Sequence, residues 1–533
     1  MSERTDASGG TAANLSDPGT SGPGSSDSSR ARRLFSGWSA NLLQMMLGVT
    51  QQVALVPVFL HFWSSDILAA WLVVNAVGNL VPIADCGLQF RAINRFLAFK
   101  SSVDCDGRTG RLFAAMLKIY LGLAGFLVAL VLAGAWLLSP SVAFGFQAVS
   151  DFDAAFLVMT LGLLLTLPSN LVSGLYRARG RYGRAVNVQN IGMLIGQLVQ
   201  LMAVIATGSL LAVVVAYAAT QLAVSVYLLV ADAPRLFPFL RGVRVKPSMR
   251  WVIGQFQHAA PFAVASAAEL ALLNMPVLLV SALVPDRVAV AQWGLTRVVA
   301  GLLRALCIQT TLPLAAELGH DYAVGLQLRL RNLYARGSVF VTLLASVVVS
   351  GLLPFWPDFF ALWTHGAVPY DPVLAITLLI GTGAVAPSIL ALGYANYSNR
   401  GQLLVRTKGL QLAVFLVLSV LLIQRIGPLG AAIAVIASDL LIQFGLLGII
   451  ILRQTLQRPL AHLVVLMMLM ITMTLCGWGL GTAIRSLLAW AGFWAGLMRF
   501  VAECALWLCV VGLVASPLLS ARLRRELVAG IPT

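Results

Sequence analysis

The chain has 533 residues, of which 59% are hydrophobic and only 11% are charged, and its mean hydropathy is +0.89. A soluble domain is about half apolar and about a quarter charged, so this composition excludes a water-soluble globular enzyme. The net charge of +16 would suggest nucleic-acid binding in a soluble chain. The positions of the basic residues along the chain favour a different explanation, which is the orientation of the chain in a membrane.

Apolar runs long enough to cross a bilayer follow one another from residue 36 to residue 516. They predict an all-α polytopic membrane protein with about fourteen transmembrane helices. The predicted spans are 36–60, 67–90, 112–138, 153–176, 185–207, 209–231, 255–283, 288–312, 337–356, 372–396, 405–424, 428–451, 460–484 and 493–516.

Basic residues concentrate in every second gap between these spans. Most of the 36 Lys and Arg residues follow an even-numbered span or lie in the terminal segments, and only Arg287, Arg425, Arg485 and Arg499 fall on the opposite side. Short loops rich in Lys and Arg stay in the cytoplasm. The pattern therefore predicts that both termini are cytoplasmic, and it accounts for the positive charge without a nucleic-acid partner.

An internal repeat relates the two halves of the chain. The matched positions are Pro168 with Pro387 and Gly208 with Gly427, each 219 residues apart, and Asp66 with Asp286, 220 residues apart. Both halves begin on the cytoplasmic side and contain an even number of predicted spans. The sequence therefore predicts a parallel repeat, related by an axis along the membrane normal.

The repeat predicts two six-helix lobes with an extra helix pair behind them. Two facing lobes enclose a cavity that can open to either side of the membrane, as a transporter requires. The predicted segments are a disordered cytoplasmic tail at 1–33, an N-lobe at 34–231, a cytoplasmic linker at 232–254, a C-lobe at 255–452, and a helix pair with a cytoplasmic C-terminus at 453–533.

Several motifs resemble those of the bacterial polysaccharide flippases. The segment from Trp71 to Asp85-Cys86-Gly87-Leu88, followed by Arg91 and Arg95, is similar to the end of their second span. The run Gly427-Pro428-Leu429-Gly430-Ala431-Ala432-Ile433-Ala434 resembles their turn before span 12, and Arg297 with Pro313 beyond it fits their pattern. The resemblance covers residues 34–516, and the superfamily includes multidrug and toxic compound extruders and lipid II flippases.

This resemblance implies a flippase for O-antigen or a related lipid-linked oligosaccharide, which works by alternating access in the bacterial inner membrane. Its expected partners are a polyprenyl-diphosphate-linked oligosaccharide and membrane lipids, with H⁺ or Na⁺ as possible coupling ions. It is expected to act as a monomer or within a polysaccharide assembly complex.

Two arginines in span 8 are the main candidates for substrate binding. Arg297 and Arg304 are seven residues apart, so they share one helical face at about 10 Å separation, and Thr311 continues the stripe. Guanidinium groups present a planar fork of donors that suits a diphosphate. Alternatively, one or both arginines pair with Glu269 or Asp439 and hold the lobes together.

Glu269 and Asp439 are the candidates for ion coupling. A carboxylate inside a span is costly and usually faces the bundle interior. Glu269 is expected either to carry a proton or to pair with Arg297 at similar depth. Asp439, with Gln443 one turn further along, is a second candidate for the same role.

Two polar stripes are candidates for lining a hydrated path for sugar hydroxyls. One contains Gln44 and Gln51 in span 1, and the other contains Asn190 and Gln197 in span 5. Hydrogen bonding between helices explains these stripes equally well.

A basic group near the inner surface is a candidate site for an anionic head group. It consists of Arg91, Arg95 and Lys118. Ordinary retention of positive charge in the cytoplasm is the alternative explanation.

Other functional classes find less support in the sequence. The absence of a Gly-x-x-x-x-Gly-Lys-Ser/Thr loop argues against ATP hydrolysis, and the six cysteines suggest no metal or other cofactor. A cation-coupled drug extruder remains as an alternative, although span 1 lacks a carboxylate. A membrane glycosyl polymerase or ligase is disfavoured because the outer loops at 139–152 and 357–371 are short, so we expect a transporter and not an enzyme.

Overall fold

The computed structural model describes residues 23–99, 107–179, 181–398, 400–490 and 496–515. These residues form twenty α-helices. The helices are α1 (Pro23–Phe62), α2 (Ser65–Leu80), α3 (Leu88–Ala98), α4 (Arg108–Leu137), α5 (Pro140–Phe144), α6 (Phe152–Leu164), α7 (Pro168–Ala178), α8 (Tyr182–Thr207), α9 (Leu210–Val226), α10 (Ala233–Leu236), α11 (Met249–Leu283), α12 (Arg287–Val324), α13 (Gln327–Thr364), α14 (Pro372–Val385), α15 (Pro387–Tyr397), α16 (Gly401–Ile426), α17 (Pro428–Ser438), α18 (Ile449–Thr455), α19 (Pro459–Trp490) and α20 (Leu497–Ala515).

The all-α membrane architecture predicted from the sequence is confirmed. Within the described residues, twelve helices are long and apolar enough to cross a membrane, or thirteen when the bent pair α14 and α15 counts as one span. The fourteenth predicted span, 493–516, corresponds to α20, whose flanking segments 491–495 and 516–533 lie outside the described residues. The described part of the chain thus contains twelve or thirteen candidate spans, against about fourteen predicted.

The predicted disordered tail at 1–33 only partly coincides with described residues. Residues 1–22 lie outside them, whereas α1 already begins at Pro23. The part of the tail from residue 23 onward is therefore helical, and it continues directly into the first membrane span, Leu43–Phe62.

The repeat positions have matching structures in the two halves. Pro168 begins α7 after a break in the fourth span, and Pro387 begins α15 after a 47° bend in the tenth. Proline has no N–H and a fixed φ, so it suits the first turn of a helix but interrupts a continuous one. Gly208 and Gly427 both end a helix with positive φ, +62° and +59°.

Packing also repeats between the halves. In the N-terminal half α8 packs on α1 and α9, and in the C-terminal half α16 packs on α11 and α17. The halves meet where α2 crosses α11 and α12, and α19 packs outside the C-terminal half, along α13. This arrangement leaves a space between the halves that is bounded by α2 and α12.

The crossing of α2 and α12 is unusually close. A Cβ atom on Gly294 would stand 2.6 Å from Cδ1 of Leu72, so a larger residue at this point of α12 would require the Leu72 side chain to shift. Leu72 and Gly294 each lie about two turns from the end of the bundle that contains residues 63–64, 139–151 and 284–286. We call this the outer end, following the orientation that the charge pattern predicts.

Candidate functional site

A cavity of about 710 Å³ lies between the two halves. Its volume falls within the range of ordinary small-molecule sites. The polar and charged side chains in its wall are Asn75 and Asn79 of α2, Thr166 and Asn170 near the α6–α7 break, Tyr217 of α9, Asn274 of α11, Arg297 and Arg304 of α12, Thr382 of α14, and Asp439 after α17. Both halves therefore contribute polar groups to one space.

Arg297 lies in the cavity wall. One Nη atom donates to the carbonyl oxygen of Leu273 in α11, close to Pro276. Pro276 lacks an N–H, and the regular hydrogen bonding of α11 is interrupted there. Among the described residues, no carboxylate lies within ion-pair distance of Arg297, so its charge is directed at the cavity without a protein counter-ion.

Arg304, the second arginine of the predicted stripe, has a counter-ion. Its Nη1 donates to Oδ2 of Asp439 at 2.9 Å, and its Nη2 donates to Oε1 of Gln443 at 3.3 Å. Both residues of the ion pair line the cavity, and Asp439 is only 4% exposed. The alternative interpretation of the sequence expected an ion pair with Glu269 or Asp439 that holds the two lobes together. The pair with Asp439 is present, but α12 and the segment after α17 belong to the same half, so the pair does not join the lobes.

A buried polar network continues from this pair into α16. Lys408 Nζ donates to Gln443 Oε1 at 2.9 Å, and the amide of Gln411 donates to Asp439. Gln443 Nε2 in turn donates to Ser388 Oγ at 3.0 Å. Lys408 is only 2% exposed, although the charge pattern of the sequence groups it with Arg400 and Arg406 at the cytoplasmic side.

Glu269 lies beside this network. It lines a second cavity of about 400 Å³ with Asp85, Gln89 and Asn170. Within the described residues it forms no ion pair with Arg297, the partner that the sequence suggested. Its carboxylate instead interacts electrostatically with Arg304 and Lys408.

The other predicted binding residues have different environments. Thr311 is buried and donates to the carbonyl of Ile308 within its own helix, so it does not extend the arginine stripe into the cavity. Gln197 Nε2 donates to the Leu47 carbonyl at 2.8 Å and thereby links α8 to α1. Asn190 is buried in the same helix.

The part of α1 that lines the cavity does not include the two glutamines of its predicted polar stripe. Met45, Gly48 and Val49 form the α1 wall, whereas Gln44 is exposed and Gln51 is half-buried, and neither belongs to that wall. The structure therefore does not bring these two glutamines together with Arg297 and Arg304.

The predicted basic group lies at the inner end of the bundle. Arg91 Nε donates to Oε1 of Gln255 at 3.2 Å, which connects α3 to α11. Burial lowers the pKa of Arg91, and the neighbouring charge of Arg95 lowers it further. Arg95 lines a separate inner cavity of about 450 Å³, and Lys118 is exposed. These three residues do not form one site.

Four asparagines of the cavity wall were missed in the sequence. Asn75 and Asn79 are four residues apart in α2, and Asn170 and Asn274 face the same space. The i, i+4 spacing of Asn75 and Asn79 inside an apolar run is a signal that could have identified them, because polar residues in spans usually face the bundle interior.

Asp85 ends the second span as a capping residue. Its Oδ2 accepts from the backbone N–H of Gln89 at 3.0 Å, and its Oδ1 accepts from the hydroxyl of Tyr120. The carboxylate thus joins α3 to α4 within the N-terminal half, at the edge of the cavity that Glu269 lines.

Comparison with known proteins identifies the fold. No family model and no curated protein matches the chain. A structure of the lipid II flippase MurJ in an inward closed conformation matches with a TM-score of 0.66 at 9% identity, covering 91% of this chain and 99% of that one. An inward-facing multidrug resistance MATE family transporter of the MOP superfamily matches with a TM-score of 0.59 at 12% identity, covering 76% and 92%.

A third solved structure is a MOP superfamily transporter from Pyrococcus furiosus, described as having a binding pocket of reverse polarity. It matches with a TM-score of 0.54 at 12% identity, covering 83% of this chain and 95% of that one. All three similarities extend over most of both chains, although the identities are low. The chain therefore has the same fold as these three solved structures.

Proposed function

We propose that this protein is a flippase that moves a polyprenyl-diphosphate-linked oligosaccharide from the inner to the outer leaflet of the bacterial cytoplasmic membrane. The observation that carries the proposal is Arg297, a guanidinium in the wall of the cavity between the halves whose charge has no carboxylate partner among the described residues. A charge inside a membrane span is costly unless a group of opposite sign compensates it.

The cavity's other groups suit the proposed head group. Arg304 lies seven residues along the same helix, so that two guanidinium groups face one space. Arginine forms paired hydrogen bonds with phosphate oxygens, and the asparagines opposite offer donors and acceptors to sugar hydroxyls. The polyprenyl chain is apolar and would remain in the lipid.

The membrane potential supplies a driving force for this direction. Each negative charge that moves outward gains about 2.3 kcal/mol per 100 mV of inside-negative potential. In the proposed topology both termini are cytoplasmic, and lobes at 34–231 and 255–452 alternately open the cavity to the two sides. The helix pair at 453–533 then stands outside this alternating unit.

Transfer of a labelled lipid in vesicles tests the function. The purified protein is reconstituted with a fluorescent polyprenyl-diphosphate oligosaccharide, and its movement between leaflets is followed with a membrane-impermeant quencher. We expect Arg297→Ala to reduce the rate at least about tenfold, because one charged hydrogen-bonding partner contributes about 1.5 to 3 kcal/mol. Arg297→Lys keeps the charge without the planar fork, and we expect it to restore part of the rate.

Arg425→Ala is the matched control, because Arg425 is an exposed arginine in the last turn of α16 and does not line the cavity. We expect it to flip lipid at the normal rate. Unchanged transfer by Arg297→Ala would refute the site.

A cation-coupled multidrug extruder is the second candidate, favoured by the carboxylates Asp439 and Glu269 beside the cavities. In that case the carboxylates would bind H⁺ or Na⁺ and a cationic substrate. Transport of small organic cations that stops in Glu269→Gln, with no movement of the lipid-linked oligosaccharide, would establish this alternative in place of the flippase.

A further inference from the structure

The ion pair with Asp439 neutralises the charge with which Arg304 would attract an anion. One N–H of Nη1 is used by Asp439 and one N–H of Nη2 by Gln443, so three of the five guanidinium N–H groups remain. An anionic head group that reaches these donors competes with the Asp439 carboxylate for the same positive charge. For Arg304 to bind the anion with its full charge, the Asp439 carboxylate must release it.

A released Asp439 would need another cation, because a buried carboxylate without a partner is strongly unfavourable. Lys408 is the nearest candidate. It is almost fully buried, and its ammonium donates to the neutral amide oxygen of Gln443. Among the described residues, no carboxylate lies within ion-pair distance of Lys408, although Glu269 and Asp439 act on it electrostatically.

Gln443 lies between the two cations. Its Oε1 accepts from both Arg304 and Lys408, at 3.3 and 2.9 Å. The present partner of Asp439 and the buried lysine are therefore joined through one amide oxygen.

The backbone at Asp439 is suited to such a movement. Asp439 begins a π-helical segment that runs from Asp439 to Gly448, between α17 and α18. π-Helical turns are less regular than α-helix and occur frequently at functional sites. The second oxygen of Asp439 accepts from Gln411, which lies on the same helix as Lys408.

We propose that Asp439 is an internal counter-ion that an anionic substrate displaces from Arg304, and that Lys408 receives the displaced carboxylate. The proposal rests on the flippase function above, because it needs an anionic head group in the cavity. The return of Asp439 to Arg304 would then help to expel the head group after translocation. Lys408 is a positioning residue in this scheme, since it acts through Asp439 and not on the substrate.

Binding of inorganic pyrophosphate to the purified full-length protein tests this scheme, with isothermal titration calorimetry as the measurement. In Asp439→Asn the competing charge is lost, and we expect the affinity for pyrophosphate to rise about tenfold, which corresponds to about 1.4 kcal/mol. In Lys408→Met the displaced carboxylate has no partner, and we expect the affinity to fall by a similar factor. Both variants should translocate lipid more slowly than the wild type.

If the pair of Arg304 and Asp439 has a purely structural role, Asp439→Asn should lower the affinity for pyrophosphate instead of raising it. The reason is that an unpaired and misplaced Arg304 would bind pyrophosphate less well. Unchanged or weakened binding by a folded Asp439→Asn protein would overturn the proposal. Gln411→Leu is the second variant, should Asp439→Asn fail to fold. It removes one hydrogen bond that holds Asp439, and it should also raise the affinity; unchanged or weaker binding by this variant overturns the proposal equally.

Arg297→Ala separates this proposal from the proposed function. One outcome is that the wild type binds pyrophosphate, that Arg297→Ala weakens this binding, and that Asp439→Asn does not strengthen it. In that case only the counter-ion exchange fails, and the proposed function stands. If the wild type does not bind pyrophosphate, the anionic-substrate function fails, and the exchange fails with it.

Discussion

Arg287 hydrogen-bonds to Phe144 across the outer end of the cavity. Its Nη1 donates to the carbonyl of Phe144 at 3.0 Å and to that of Ser281 at 2.9 Å, and its guanidinium carbon lies 5.0 Å from the centre of the Phe146 ring. Ser281 Oγ also donates to the Phe144 carbonyl at 3.1 Å. Because α5 belongs to the N-terminal half and α11 and α12 to the C-terminal half, Arg287 and Ser281 both connect the two halves at this end, and Arg287 adds a charge and a ring contact to the connection.

Removal of this connection is expected to open the outer end. Arg287→Ala loses the charge-assisted hydrogen bond to Phe144 and the cation–π contact with Phe146 that join the halves, each of which contributes about 0.5 to 3 kcal/mol. We expect the accessibility of the cavity from outside to increase at least about tenfold. The measurement is the labelling rate of Thr382→Cys, whose side chain lines the cavity, by a membrane-impermeant maleimide in a background without the native cysteines.

Arg425→Ala again provides the control, since its side chain is exposed at the outer end of α16. An equal labelling rate in Arg287→Ala and Arg425→Ala would show that Arg287 does not hold the outer end closed.

Gly87 determines how closely the halves approach at the inner end. Its φ is +71°, and a Cβ atom there would stand 2.6 Å from the Ala259 carbonyl oxygen and 2.7 Å from the Ala263 nitrogen of α11. Gly87→Ala therefore adds a clash with backbone to the cost of left-handed geometry, which is about 1 to 2 kcal/mol by itself. We expect a distinctly lower melting temperature and separation of α3 from α11.

Gly242→Ala is the matched control, because Gly242 has almost the same φ, +73°, and nothing within 4 Å of its Cβ position. The difference in melting temperature between the two variants, measured by scanning fluorimetry in detergent, isolates the effect of the contact. Equal melting temperatures would mean that α11 moves aside without cost.

Hydropathy and spacing predicted the helices and three charged residues of the cavity wall, Arg297, Arg304 and Asp439, and they did so for a physical reason. Arg297 and Arg304 are seven residues apart in one apolar run, and burial of charge in lipid is so costly that such residues face the interior. The positions of Pro168 and Pro387 were informative because each begins a new helix, as the missing N–H and fixed φ of proline favour.

The contacts between distant helices were not accessible in the same way. Arg304 and Asp439 are 135 residues apart, and nothing local in the sequence distinguishes this partner from Glu269. Lys408 follows a loop with several arginines, so its position along the chain indicates an inner surface, whereas it lies about two turns inside α16. Only the packing of α16 against the segment after α17 shows that its ammonium is buried.

The attachment of the extra helix α19 gives the last prediction. Gly477 of α19 packs so closely on α13 that a Cβ atom would stand 2.3 Å from Ser350 Oγ, and one turn later Gly481 meets Pro354 in the same way. Ser338 of α13 and His462 of α19 share a buried hydrogen bond of 2.8 Å near the other end of the contact. In Gly477→Val the side chain must push α19 away from α13, and we expect a loss of about 1 to 3 kcal/mol, as is usual for overpacking.

Gly479→Val carries the same helix-propensity change two residues away, where nothing lies within 4 Å of the Cβ position. The two melting temperatures, together with cleavage of α19 by an added protease, therefore measure the attachment of this helix alone. If α19 is held by this face, Gly477→Val melts earlier and is cleaved faster than Gly479→Val. Identical behaviour of the two variants would mean that the close approach contributes nothing to holding α19, and that the buried Ser338–His462 contact and the surrounding apolar surface suffice.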